Sequence, residues 1–165
     1  MPLNALPDHA AAVPPMAAGG PINPPTRPTR WALGLGYAGL LPFVAGALLL
    51  WLLRGEAQGH VALALSAYAA LILSFLGGIH WGLAMRQPAA ATAGLVWGVV
   101  PSLLAWPALL MPAFSALVIH GALLLLSYAV DRRSYPAHGA AAWLGLRFRL
   151  SAVAALSCFI GAAAH

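Results

Sequence analysis

From Val61 to Met85 the chain carries no Asp, Glu, Lys or Arg. A run of that length is enough to cross the hydrocarbon core of a bilayer, which takes about 20 apolar residues. A soluble fold would have to enclose it from all sides, and the rest of the chain has too few polar residues to do so. Of the 165 residues, 62% are hydrophobic and 7% are charged, against about 25% charged in an ordinary soluble domain. In lipid the backbone must satisfy its own hydrogen bonds, and uninterrupted apolar runs do this as helices. The sequence therefore predicts an all-α integral membrane bundle. The net charge of +5 would suggest nucleic acid in a soluble protein. Here the basic residues flank apolar runs, so the bilayer is the expected partner and nucleic acid is not.

Five such runs are present: Trp31–Leu53, Val61–Met85, Ala93–Met111, Ala113–Val130 and Leu150–Ala164. They predict a five-span transmembrane domain over residues 31–165. Pro107 and Pro112 set the break between the third and fourth runs, since proline cannot continue a helix without losing a hydrogen bond. The fifth run is short, and Phe148 with its flanking arginines extends it by snorkelling. Residues 1–30 hold eight prolines and no hydrophobic period, which reads as a disordered Pro/Ala-rich tail rather than a cleavable signal peptide. All the basic side chains are arginines. With the N-terminus inside, Arg27, Arg30, Arg86, Arg132, Arg133, Arg147 and Arg149 fall on the cytoplasmic side and only Arg54 outside. This positive-inside bias predicts N-terminus in and C-terminus out. Asp131–Arg149 is then a cytoplasmic connector, either an ordinary basic loop or an interfacial anchor built on Trp143, Leu144 and Phe148 with Arg147 and Arg149.

Small residues recur at every fourth position of the second run: Ala62, Ser66, Ala70, Ser74, Gly78 and Gly82. Positions four apart share a helix face, and small faces let backbones approach in lipid. Gly94 and Gly98 repeat the spacing in the third run at similar depth. The expected contacts are Gly78 against Gly98 and Gly82 against Gly94. Gly34, Gly36 and Gly39 lie at that depth too, so the first three helices are expected to approach most closely in the cytoplasmic leaflet. Gly34–Gly39 also matches the dinucleotide-binding pattern, but that motif needs a strand before it, and here it lies inside a membrane span. Pro42 and Pro101 free the carbonyls of Ala38 and Trp97, for which Ser74 and Ser102 are the candidate donors.

His80 and His120 are the ionisable side chains well inside the runs, and an intramembrane ionisable group is a functional hypothesis by default. Together they do not suit haem, because His80 lies roughly 10 Å from its helix centre while His120 is near the middle of its own. His80 is expected to face the bundle interior, on the face shared with Leu73, Gly77 and Ala84, with a polar partner from another helix. The runs contain no Asp or Glu, so no carboxylate relay is expected. No catalytic or metal-ligand spacing is present and no cofactor is implied. The candidate ligand-binding residues are His80, Ser74, Trp81, Trp97 and Ser102, and the candidate packing residues are Gly78, Gly82, Gly94 and Gly98.

Three stretches carry a resemblance: Leu76-Gly77-Gly78-Ile79-His80-Trp81-Gly82, the segment Trp97-Gly98-Val99-Val100-Pro101-Ser102-Leu103-Leu104-Ala105-Trp106, and Asp131-Arg132-Arg133. They resemble the domain-of-unknown-function family 3429 across roughly residues 31–162. The resemblance implies a small multi-pass protein of the bacterial inner membrane, with relatives in mitochondria, and brings no activity or catalytic residue with it. The function expected from the sequence is non-enzymatic: a scaffold or assembly factor packing against another membrane protein or against itself. The alternative is a small-solute transporter or ligand-binding protein using a cytoplasmic-side cavity around His80. A cavity lined by His80, Ser74 and Trp97 would favour the alternative, whereas a filled interior with a lipid-facing groove of small residues would favour the scaffold.

Overall fold

The computed structural model describes residues 27–86 and 91–164, which are helical with no strands among them. The proline-rich tail expected over residues 1–30 lies almost wholly outside the described residues. The elements are α1 (Arg30–Ala38), α2 (Leu41–Leu52), α3 (Glu56–Ala84), α4 (Ala91–Ala108), α5 (Ala113–Ala137) and α6 (Leu144–Ala162), with a 3-10 turn at Ala141–Trp143 before α6. Four helical stretches are long and apolar enough to cross a membrane: Arg30–Leu52, Glu56–Ala84, Ala113–Ala137 and Ala141–Ala162. The third expected run, in α4, is the shorter one and carries Pro101 and Pro107 inside it, whereas the last run, expected to be short, is extended back to Ala141 and is long enough.

Local chemistry sets the boundaries. The Thr29 hydroxyl accepts from the Ala32 N–H and starts α1, satisfying one of the donors that a helix start leaves free. Pro42, without an N–H, interrupts the first span, so α1 and α2 are separate helices. The Gly39 carbonyl at this break is satisfied by the Tyr68 hydroxyl at 2.9 Å. Neither expected serine is available there: Ser74 donates to the Ala70 carbonyl and Ser102 to that of Val99, and each hydroxyl has one proton to give. Gly139, with φ of 70°, ends α5 in the left-handed conformation while the Ala140 N–H reaches back to the Tyr135 carbonyl, the Schellman arrangement.

Helix α3 is the centre, packed against α2, α4, α5 and α6. Phe43, Leu50, Leu73, Leu117, Leu124 and Cys158 are fully buried around it. At the end opposite the arginine cluster, Gln58 donates to the carbonyls of Leu50 and Ala164, and Trp51 to that of Ile160. These bonds tie α2, α3 and α6 together. At the other end α1 has no fully buried residue and packs chiefly on α6. The close approach of all three first spans in that leaflet is therefore corrected: α3 and α4 touch there, and α1 stands away. Among the described residues before Pro42, the hydrogen bond to α3 is that of the Tyr68 hydroxyl to the Gly39 carbonyl, just past the end of α1.

The packing register also differs from expectation. It is Gly77, not Gly78, that meets α4: a Cβ on Gly77 would collide with the Gly98 carbonyl. A Cβ on Gly98 would meet the Trp81 ring and lie 2.9 Å from the Gly77 carbonyl. Gly94 packs on Ala84 and the His80 carbonyl, whereas Gly78 and Gly82 face open space. The reason is the face chosen. Leu73, Gly77, His80 and Ala84 are all buried, and the stripe of Ser74, Gly78 and Gly82 is rotated outward.

Candidate functional site

The connector expected at Asp131–Arg149 is largely helical. No glycine or proline stands between Ala113 and Pro136 in α5 except Gly121, so the helix runs past the last apolar residue. Asp131 falls on the face that carries His120, Leu124, Ser127 and Tyr135, all buried. Arg147 lies in the first turn of α6 and faces α5. Both were expected in the cytoplasmic connector, as an ordinary basic loop or an interfacial anchor; instead Asp131 is 2% exposed and Arg147 7%. The expectation that no carboxylate lies within the helical bundle is thereby corrected.

These two residues and His80 form one buried cluster. His80 Nε2 donates to Asp131 Oδ1 at 2.8 Å, since an ionised carboxylate can only accept. Arg147 donates from Nε to Oδ2 at 2.8 Å, and its Nη2 donates to the same oxygen. One carboxylate thus joins α3, α5 and α6. The Tyr135 ring lies beside His80, with centroids 6.2 Å apart, and the residue is within interaction range of Arg147 and Asp131. Taking charges out of water costs several kcal/mol per ion, which is offset only when they are paired and hydrogen-bonded. The cluster meets that condition, and it fixes the plane of the Arg147 guanidinium.

His120 belongs to a second, separate network. Its Nε2 donates to the Ala105 carbonyl at 3.2 Å, so Nδ1 is the acceptor for the Ser66 hydroxyl at 3.2 Å. That carbonyl is free because the Leu109 N–H turns to Trp106 instead. The two histidines have different partners and share no site. Of the other sequence candidates, Trp81 donates to the Leu95 carbonyl at 2.9 Å, which pins α3 to α4. Ser74 and Ser102 bond within their own helices. Of the candidate ligand residues, His80, Ser74, Trp81 and Ser102 therefore bond to four separate partners. Among the described residues, no three His, Cys, Asp or Glu side chains come together as metal ligands would.

A cavity of about 610 Å³ opens beside the cluster, between α1 and the body of the bundle. Its walls are apolar, with Leu35 from α1, Ile72, Phe75 and Ile79 from α3, and Leu146 and Leu150 from α6. Its polar lining side chains are Arg86, Tyr135, His138 and Arg147, which come from the ends of α3 and α5 and the start of α6. Neither His80, Ser74 nor Trp97 lines it. His80 stands behind it and contacts it through Asp131 and Arg147. Phe75 and Leu35 are largely exposed, so the cavity opens sideways, where lipid would lie. The signal for this site was the unbroken helical continuation through Asp131; the cavity itself has no signature in the sequence.

The chain matches the family described as "Protein of unknown function (DUF3429)" over residues 28–163. It is 49% identical over 82 residues to Transmembrane protein 69 of Xenopus tropicalis, a match covering 48% of this chain and 32% of that protein. The match thus spans about a third of the relative's own length. No solved structure matches.

Proposed function

The chain belongs to the DUF3429 family of proteins of unknown function, and we propose that it is a non-enzymatic, multi-pass protein of the bacterial inner membrane that binds an amphipathic small molecule from the bilayer. The observation that carries this reading is the cavity of about 610 Å³ with apolar walls and polar groups gathered at one end. Ligand sites are of this size and character, about 300–1,000 Å³ and mostly apolar with a few placed polar groups. With the orientation expected from the arginine bias, the polar end lies at the cytoplasmic face. An apolar body then enters between α1 and α3, where α1 is held loosely, and the polar head reaches Arg86 and Tyr135.

The test is to purify the protein in mild detergent and identify the bilayer-derived molecules that stay bound, by mass spectrometry. An Ile79→Trp variant narrows the cavity from the α3 wall. A molecule retained by the parent and lost from a folded Ile79→Trp variant supports the reading, whereas equal retention counts against it. The scaffold reading keeps one supporting observation: Ser74, Gly78 and Gly82 form an outward stripe, with open space above both glycines. Such a stripe would admit a helix of another membrane protein or of a second copy.

A further inference from the structure

We propose that the cavity selects a lipid with a singly charged anionic phosphate head, held by Arg86 and Arg147; this rests on the ligand-binding reading above and specifies its ligand.

The argument is one of charge and donors. The cavity lining contains two arginines and no carboxylate. Asp131 lies behind Arg147 and balances it. Arg86 has no acidic partner among the described residues, whose carboxylates are Asp131 and Glu56. Glu56 begins α3 at the end away from Arg86. One positive charge at the polar end of the cavity is therefore uncompensated, and a phosphodiester carries one negative charge to match it.

Arg147 contributes directed donors rather than net charge. Its Nε and Nη2 are engaged by Asp131 Oδ2, while the residue also lines the cavity. A guanidinium has five N–H groups in a rigid fork; two face Asp131 and one faces the Tyr135 oxygen, so the others remain to meet phosphate oxygens, in a plane that Asp131 already fixes. The Tyr135 hydroxyl stands next to it as a further donor. Such charge-assisted bonds to phosphate are the strong, geometrically specific kind. The apolar walls and sideways opening select a lipid over a free anion. At about 610 Å³ the cavity is smaller than a whole two-chain phospholipid, so the chains emerge past Phe75 into the bilayer.

The experiment is native mass spectrometry of the full-length protein in neutral detergent, with phosphatidylglycerol, phosphatidylcholine, diacylglycerol or glycerol phosphate added at equal concentration. The expected result is preferential one-to-one retention of phosphatidylglycerol. Arg86→Gln should reduce it about tenfold, the weight of one charge-assisted hydrogen bond. Arg86 is exposed, so this variant tests the idea without disturbing the buried Asp131 cluster. Equal retention of diacylglycerol, or no effect of Arg86→Gln, overturns the anionic-head inference while leaving the cavity reading intact. Binding of glycerol phosphate as tight as that of the lipid overturns it in favour of a soluble anion. Retention of phosphatidylglycerol that is unchanged in Ile79→Trp shows a lipid bound elsewhere on the surface and overturns both readings.

Discussion

At the scale of single residues, Asp131 is where the most depends on one side chain. It accepts from His80 and from two nitrogens of Arg147 and is itself 2% exposed. Removing it leaves a buried guanidinium without a counter-charge, which costs about 3–5 kcal/mol in comparable pairs. Asp131→Ala is therefore expected to lower the melting temperature in detergent steeply. Adding Arg147→Met should recover most of that loss, because an apolar side chain of similar volume needs no partner. If Asp131→Ala melts like the parent, the cluster is not closed as described. Ser66 and His120 present a milder case, in which neutral groups satisfy one another and the Ala105 carbonyl. Loss of one such bond leaves an unsatisfied buried group, at about 1–3 kcal/mol.

At the scale of elements, the α3–α4 contact depends on which glycine faces inward. Gly77 and Gly98 meet backbone to backbone, and Trp81 closes over Gly98 while donating to Leu95. Gly77→Ala is expected to push α4 off α3 and cost about 1–3 kcal/mol, the range for overpacking. Gly78→Ala and Gly82→Ala add a Cβ into open space and should be neutral or gain up to about 1 kcal/mol from helix propensity. Heat resistance in detergent distinguishes the two classes. Equal loss at Gly77 and Gly78 would contradict the register. Should Gly78→Leu leave the isolated protein stable yet abolish crosslinking to a neighbour in native membranes, the scaffold reading gains over the ligand-binding one.

For the whole molecule, the arrangement of charge follows the arrangement of helices. Arg86, Arg132, Arg133, Arg147 and Arg149 gather around one end of the bundle, with Arg30 at the start of α1, while Arg54 sits at the other end, donating to the Trp51 and Leu53 carbonyls. Reporter fusions should place Ala137 in the cytoplasm and Ala57 outside. A shared side for the two would mean that α3 to α5 do not make the odd number of crossings proposed here. The loosely attached α1 is the other large-scale feature. Because none of its residues is fully buried, its position against the cavity is the cheapest part of the fold to change, which suits an entrance.

The sequence by itself determined the membrane class, the helical elements and their order. Uncharged runs of bilayer length and prolines at fixed positions allow little else, because hydrogen-bond satisfaction in lipid is a local matter. It also placed His80 inside the bundle with a polar partner, since the face shared with Leu73, Gly77 and Ala84 is readable at a period of 3.6. Tertiary structure decided the rest. Whether Gly77 or Gly78 meets α4 is a rotation of about 100° per residue, and both faces of α3 are small enough to pack. Asp131 and Arg147 looked like loop charges because each alone is too costly to bury. They become buried only once α5 and α6 bring opposite charges together, 16 residues apart in sequence. The cavity exists because Pro42 breaks the first span and α1 leans away, and no single stretch of sequence encodes the space between two helices.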